Sequence, residues 1–127
     1  MHILFAALLA IAHDPRALLV GTWKGESICT SVRPACHDEI AVYHISIPSK
    51  PGVIDMAMNK MIRGKEAEMG GQLEYKVNAD ATKLSADIDF NGNHIRFSFT
   101  RTGDKMVGTL IDIPTGAVIR NIRLAKE

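Results

Sequence analysis

From Leu19 onward the chain alternates apolar and polar residues with a period of two, and no helical spacing of apolar residues persists beyond about two turns. Successive side chains of a strand point to opposite faces, so each run of this kind predicts a strand with one dry and one wet face. Eight such runs follow one another. The first, Leu19 to Thr30, sets Thr22, Lys24 and Glu26 against Trp23, Gly25 and Ser27. The second, Glu39 to Ile47, is apolar on both faces apart from His44 and Ser46, and it stops at the turn Pro48-Ser49-Lys50-Pro51-Gly52. The third, Val53 to Ile62, places Ile54, Met56 and Met58 opposite Asp55 and Asn59, and Arg63-Gly64-Lys65 turns the chain. The fourth, Glu66 to Val77, sets Met69, Gly71, Leu73, Tyr75 and Val77 against Glu68, Gln72, Glu74 and Lys76, with a bulge or sharp bend predicted at Gly70-Gly71.

The fifth run, Lys83 to Phe90, alternates most cleanly and ends at Asn91-Gly92. That dipeptide suits a type I′ hairpin turn, which needs positive φ at both central residues. The sixth, His94 to Arg101, sets Ile95, Phe97 and Phe99 against His94, Arg96 and Ser98. The seventh, Lys105 to Ile113, ends at Pro114-Thr115-Gly116, and the eighth runs from Ala117 to Ala125. Links this short make neighbouring strands antiparallel, so the natural topology is an up-and-down meander. An open meander exposes two strand edges, and closing it into a barrel removes both. The predicted fold class is therefore all-β, an eight-stranded antiparallel up-and-down barrel, with an open two-layer sandwich as the alternative. Before the first strand, Asp14-Pro15 predicts a capped helical turn over His13 to Leu18.

Composition adjusts this picture in two places. The chain has 127 residues, enough for one domain, and its 15 basic and 14 acidic residues are scattered, which leaves no surface suited to nucleic acid. Residues 1–12, MHILFAALLAIA, form an apolar run ending in Ala10-Ile11-Ala12, a small-x-small pattern suited to signal peptidase. The run is too short for a membrane span, which takes about 20 apolar residues. The expected organisation is an export signal at 1–12 followed by a barrel domain at 13–127, placing the mature protein in the periplasm or outside the cell. Export in turn favours a disulfide between Cys29 and Cys36, worth on the order of 2 kcal/mol for so short a loop, over two free thiols.

The residues Gly21-Thr22-Trp23 at the head of the first strand resemble the Gly-x-Trp signature that opens lipocalins and related calycin barrels. The resemblance implies an eight-stranded barrel with Trp23 closing one end against an arginine from the last strand, for which Arg120 or Arg123 stands in position. A guanidinium over an indole face contributes about 0.5 to 2 kcal/mol. Within this group the opening strand is similar to that of haem-binding nitrobindins, but no His stands at a matching inward position near the C-terminus. It is similar to the avidins too, whose biotin pocket takes several tryptophans where this chain has one. In size and cysteine number the chain also resembles small exported protease inhibitors built on a lipocalin-like barrel.

Candidate chemistry is sparse. Cys36-His37-Asp38-Glu39 is the densest polar cluster, with His44 further along, and the least favoured reading is an enzyme using His37, Glu39 or His44 as a metal site or acid/base pair in the barrel mouth; neighbouring residues on a strand face opposite ways, and two ligands on one face make no metal site. Ser27, Ser46 and Ser98 lie outside any nucleophile elbow, and the Gly-Lys and Gly-Gly pairs precede no helix that would bind phosphate. No catalytic residue, cofactor or metal is expected. The residues that would line an adaptable apolar cavity are Tyr43, Met56, Met58, Met69, Tyr75, Phe97 and Phe99. The reading is a non-catalytic barrel that binds a small apolar ligand. The alternative is a solid barrel whose rim, including the loop closed by Cys29 and Cys36 and the segment His13 to Leu18, meets a protein such as a protease. An eight-stranded interior is just wide enough to be filled by side chains or to hold one small ligand, so the pattern leaves both open.

Overall fold

The computed structural model describes residues 13–127, and the leader expected at 1–12 lies outside the described residues. Nine strands follow in order: β1 (Gly21–Cys29), β2 (Glu39–Ser46), β3 (Val53–Ile62), β4 (Lys65–Ala67), β5 (Gln72–Val77), β6 (Lys83–Phe90), β7 (Asn93–Thr102), β8 (Lys105–Asp112) and β9 (Val118–Lys126). All pairings are antiparallel between sequence neighbours, except that β3 takes both β4 and β5, and β1 pairs with β9 as well as β2. The β1–β9 ladder closes the sheet on itself. Because β4 and β5 lie end to end along β3, the strands form the eight staves of a closed barrel.

The stave predicted as one strand from Glu66 to Val77 is interrupted where the glycine pair stands. Gly70 and Gly71 have φ of 103° and 88°, outside the extended region, so the ladder cannot run through them. β4 pairs with Lys60–Ile62 and β5 with Val53–Ala57, leaving Met58 and Asn59 opposite the insert Glu68–Gly71. The Asn91-Gly92 turn forms as its sequence predicts, with φ of 49° and 78°.

One end of the barrel is solid. The turn Pro15–Leu18 is capped by Asp14, whose carboxylate accepts from the Arg16 backbone N–H at 3.0 Å. Arg16 also donates to the carbonyls of Lys50 and Val53 at 2.9 and 2.8 Å, fastening the turn across the β2–β3 connection. This fixes Leu19 beneath the staves as a buried plug, and β1 starts two residues later than the periodicity implies, after the bend at Gly21 (φ 133°). Trp23 is fully buried and its indole N–H donates to the Leu19 carbonyl at 2.8 Å. The cation over its ring is Lys126, 5.9 Å from the centroid. Neither arginine offered for that role reaches it: Arg120 pairs across the ladder with Cys29, at the other end of β1, and Arg123 pairs with Glu26 and is exposed, whereas Trp23 pairs with Lys126. The arginine buried at the solid end is Arg101, which donates to the carbonyls of Ala81 and Gly103 at 2.9 and 3.1 Å. Above this floor Met56, Tyr75, Leu84, Phe99 and Met106 fill the section with almost no exposure. Among the described residues, no helix is long and apolar enough to cross a membrane.

Candidate ligand site at the barrel mouth

The opposite end is hollow. A cavity of about 370 Å³ opens there, lined by Ser27, Tyr43, Met58, Leu73, Phe97 and Arg120 among others. That volume falls in the range of small-molecule sites, about 300 to 1,000 Å³. Four of the seven residues expected to line a ligand cavity reach it: Tyr43, Met58, Met69 and Phe97. Met69 stands at its lip, 49% exposed, carried there by the glycine break. Met56, Tyr75 and Phe99 lie in the packed section beneath. The interior is thus solid at one end and hollow at the other.

Alternation places each lining residue. Along β2, the inward positions are Glu39, Ala41, Tyr43 and Ile45, the first at the mouth and the last near the floor. The same alternation turns Ser27 of β1 inward, buried, and sets Arg120 of β9 beside it. Arg120 donates through Nη1 to the Ser27 carbonyl at 3.3 Å and to Ser27 Oγ at 3.2 Å. Its other neighbour is Glu39 at 3.6 Å, which also accepts from Lys60 Nζ at 3.1 Å. One carboxylate between two cations leaves this wall with a single excess positive charge.

Beneath the charges are two phenols. Burial pushes the Tyr43 hydroxyl pKa well up, the Glu39 charge adds to the rise, and Arg120 and Ser27 oppose it. Burial, and then Tyr43, push Tyr75 up in the same way. Both phenols therefore remain neutral hydrogen-bond donors at any ordinary pH. The Tyr75 hydroxyl donates to the thioether of Met58 at 3.0 Å, which holds that methionine at the cavity base. Tyr43 and Tyr75 both pack on Phe99, with ring centroids 6.3 and 6.0 Å apart, tying the base to the solid section.

The polar and apolar linings sit on opposite walls. Arg120, Ser27, Glu39 and Tyr43 come from β9, β1 and β2, which are consecutive staves; Leu73, Ile88, Phe90 and Phe97 come from β5, β6 and β7, also consecutive, with exposed Gln72 of β5 the one polar side chain among the lining residues of that side. In an eight-stave barrel β6 faces β1 across the axis. The site is therefore a cleft with one hydrogen-bonding, cationic side and one hydrocarbon side.

The remaining polar candidates do not converge on this cavity. His37 is exposed in the loop after the disulfide. The expected disulfide joins Cys29 and Cys36, and the Asp38 carboxylate accepts from the Cys29 backbone N–H at 2.8 Å, closing the mouth end of β1. His44 points outward, away from inward-facing Glu39, so those two make no acid/base pair. Instead it bridges Thr22 Oγ1, 3.0 Å from Nδ1, and Glu66 Oε2, 2.6 Å from Nε2. Glu66 also accepts from Asn59 Nδ2 at 2.8 Å, and the hydrogen bonds from Asn59 and His44 hold its carboxyl below its ordinary range. This outer chain clips β4 to β3 and β2. Among the described residues no group of three or more His, Cys, Asp or Glu could hold a metal ion.

Of the polar wall, only Tyr43 is expected from the sequence to meet a ligand; Ser27, Glu39 and Arg120 are not. Their signal was present: Ser27, Glu39 and Arg120 are polar residues at inward positions near the mouth ends of their strands. Set beside known proteins, the chain matches no family model and no curated sequence.

Proposed function

We propose that this protein is an exported, lipocalin-like barrel that binds a small, mainly apolar ligand in its mouth cavity and performs no catalysis. The observation that carries the reading is the divided lining of an open cavity of about 370 Å³. A hydrocarbon surface on the β5–β7 side would take most of the ligand. Arg120 and the neutral Tyr43 hydroxyl would orient a single polar group on the β1 side. The packed floor fixes how deep such a ligand can go, because Tyr75 and Phe99 already fill the barrel below Met58. The Cys29–Cys36 bridge and the Gly-x-Trp opening at Gly21 to Trp23 support export and the lipocalin-like reading respectively.

The test is native mass spectrometry of the mature protein recovered from its own compartment, paired with titration by an environment-sensitive apolar fluorophore. The reading expects saturable, one-to-one binding that a Met58→Trp variant, which fills the cavity base, abolishes. Unsaturable binding, or binding that Met58→Trp leaves intact, refutes it.

A further inference from the structure

The polar wall of the mouth cavity is only partly used by the protein itself. In the Arg120 guanidinium, Nη1 makes every bond, to the Ser27 carbonyl at 3.3 Å and to Ser27 Oγ at 3.2 Å, and it also stands 3.6 Å from Glu39 Oε1. Among the described residues, Nε and Nη2 donate to nothing. Glu39 is divided in the same way. Its Oε2 accepts from Lys60 at 3.1 Å, while Oε1 lies beyond hydrogen-bond length from Arg120 and accepts from nothing described. The neutral Tyr43 hydroxyl likewise keeps its proton to give. None of these atoms is sealed inside the wall, because among the described residues no buried side-chain nitrogen or oxygen lacks a partner. All three residues line the cavity, so their spare donors and spare acceptor are open to it.

The order of these groups selects a head group. Donors of Arg120 and Tyr43 stand beside a single free oxygen of Glu39, so the complement accepts on one atom and donates from the next. Lys60 does not line the cavity, so the surface a ligand meets carries one guanidinium against one carboxylate, a balance that a neutral head group leaves undisturbed. A carboxylate would match Arg120 but set its second oxygen against Glu39 Oε1, acceptor to acceptor and charge to charge. An amine would meet Glu39 and leave Arg120 and Tyr43 unmatched, and a half-buried polar group deprived of water without a new partner costs binding energy.

We infer that the mouth cavity is specific for an apolar chain ending in a primary or secondary carboxamide, whose oxygen accepts from Arg120 and Tyr43 and whose N–H donates to Glu39. The chain lies against Leu73, Ile88 and Phe97 on the opposite wall. The inference rests on the proposal that this cavity binds a mainly apolar ligand, and it makes Glu39 the residue that turns free acids away.

Displacement of the bound apolar fluorophore at neutral pH by octanamide, octanoate, octylamine, octanol and N,N-dimethyloctanamide tests it. These probes carry similar chains and differ at the head, the last keeping the carbonyl but lacking the N–H. Octanamide should bind at least about tenfold tighter than any of the others. Glu39→Gln keeps the shape of the wall and removes the charge that opposes an acid, so octanoate should gain at least about tenfold. If the fluorophore saturates but octanamide displaces it no better than octanol or the dimethyl amide, the carboxamide assignment falls while the binding cavity stands. Tighter binding of octanoate than of octanamide to the wild type overturns it in favour of an anionic ligand, and an unchanged octanoate affinity in Glu39→Gln overturns the role of Glu39. A lack of saturable fluorophore binding refutes the cavity reading itself, and this inference with it.

Discussion

Replacing both Cys29 and Cys36 with serine tests how much of the barrel's stability is held at its mouth. The bridge joins residues seven apart in sequence, so it closes a loop of about eight residues in the unfolded chain. The chain-entropy relation for a loop of that length gives about 2.5 kcal/mol at 25 °C. With an unfolding entropy of roughly 2.1 cal/mol/K per residue over some 115 folded residues, the loss corresponds to a fall in Tm of about 10 °C. Two hydrogen bonds survive in the folded variant, Asp38 to the Cys29 N–H at 2.8 Å and the Cys36 N–H to the Arg33 carbonyl at 3.1 Å. They hold the native loop but place no constraint on the unfolded chain, so they do not replace the bridge. Calorimetry of the oxidised wild type against the double variant measures the effect, with Trp23 emission followed in the same melts. The emission should not change before the main transition, because Trp23 sits at the solid end. A fall of less than about 3 °C refutes the entropic argument, and an early change in Trp23 emission refutes the independence of floor and mouth.

Gly25→Ala should be more damaging than its half-buried position suggests, since a Cβ there runs into the carbonyl of Arg123 and the Cα of Leu124, all backbone atoms of β9 that no rotamer change can move. We expect a loss of roughly 3 kcal/mol, read as a lower urea midpoint, and an unchanged midpoint would show that β1 and β9 tolerate separation. Lys126→Ala removes both the cation over Trp23 and the hydrogen bond to the Leu18 carbonyl at 3.1 Å, so indole emission should shift to the red with a loss of about 1 kcal/mol. Arg120→Met should leave that emission unchanged, and a red shift there would contradict the separation of the two ends. For Glu66 the folded pKa lies below its ordinary value near 4.5, so its contribution is present above that pH and disappears as pH falls through the folded value. The Tm gap between wild type and Glu66→Gln should therefore narrow on acidification below about pH 4.5; a gap that widens would reverse the assigned sign.

The staves were legible because their outer faces are polar at alternate residues: Thr22, Lys24 and Glu26 on β1, or Ser85, Asp87 and Asp89 on β6. The turns announced themselves where φ must be positive, at Arg63-Gly64 and Asn91-Gly92. Less was visible where the answer depends on register between distant strands. The β1–β9 ladder sets Arg120 beside Cys29 at the mouth and brings Lys126 to Trp23, one residue beyond the strand end that the alternation predicts. The β5–β6 ladder is similar: nothing in the alternation of either strand shows that it is confined to Lys76–Ser85 and Val77–Leu84.

Whether the interior was hollow could not be read from its apolar residues alone, because the methionines and phenylalanines occur in both halves. The polar residues at inward positions decide it. At the floor the inward side chains are large and apolar, Trp23, Met56, Tyr75 and Phe99, and they interdigitate to full burial. At the mouth the inward positions pass to Ser27, which is small, to the Gly70-Gly71 break, which removes a stretch of stave, and to Glu39, Lys60 and Arg120. Charged groups cannot be buried without large cost unless they are paired and hydrogen-bonded, and this triad stays within reach of water, with side chains 14 to 26% exposed. A dry, filled mouth would strand those charges. The cavity follows from which residues the sequence turns inward at that end, and its hydrocarbon wall exists because β5, β6 and β7 carry no matching charges on their inward faces there.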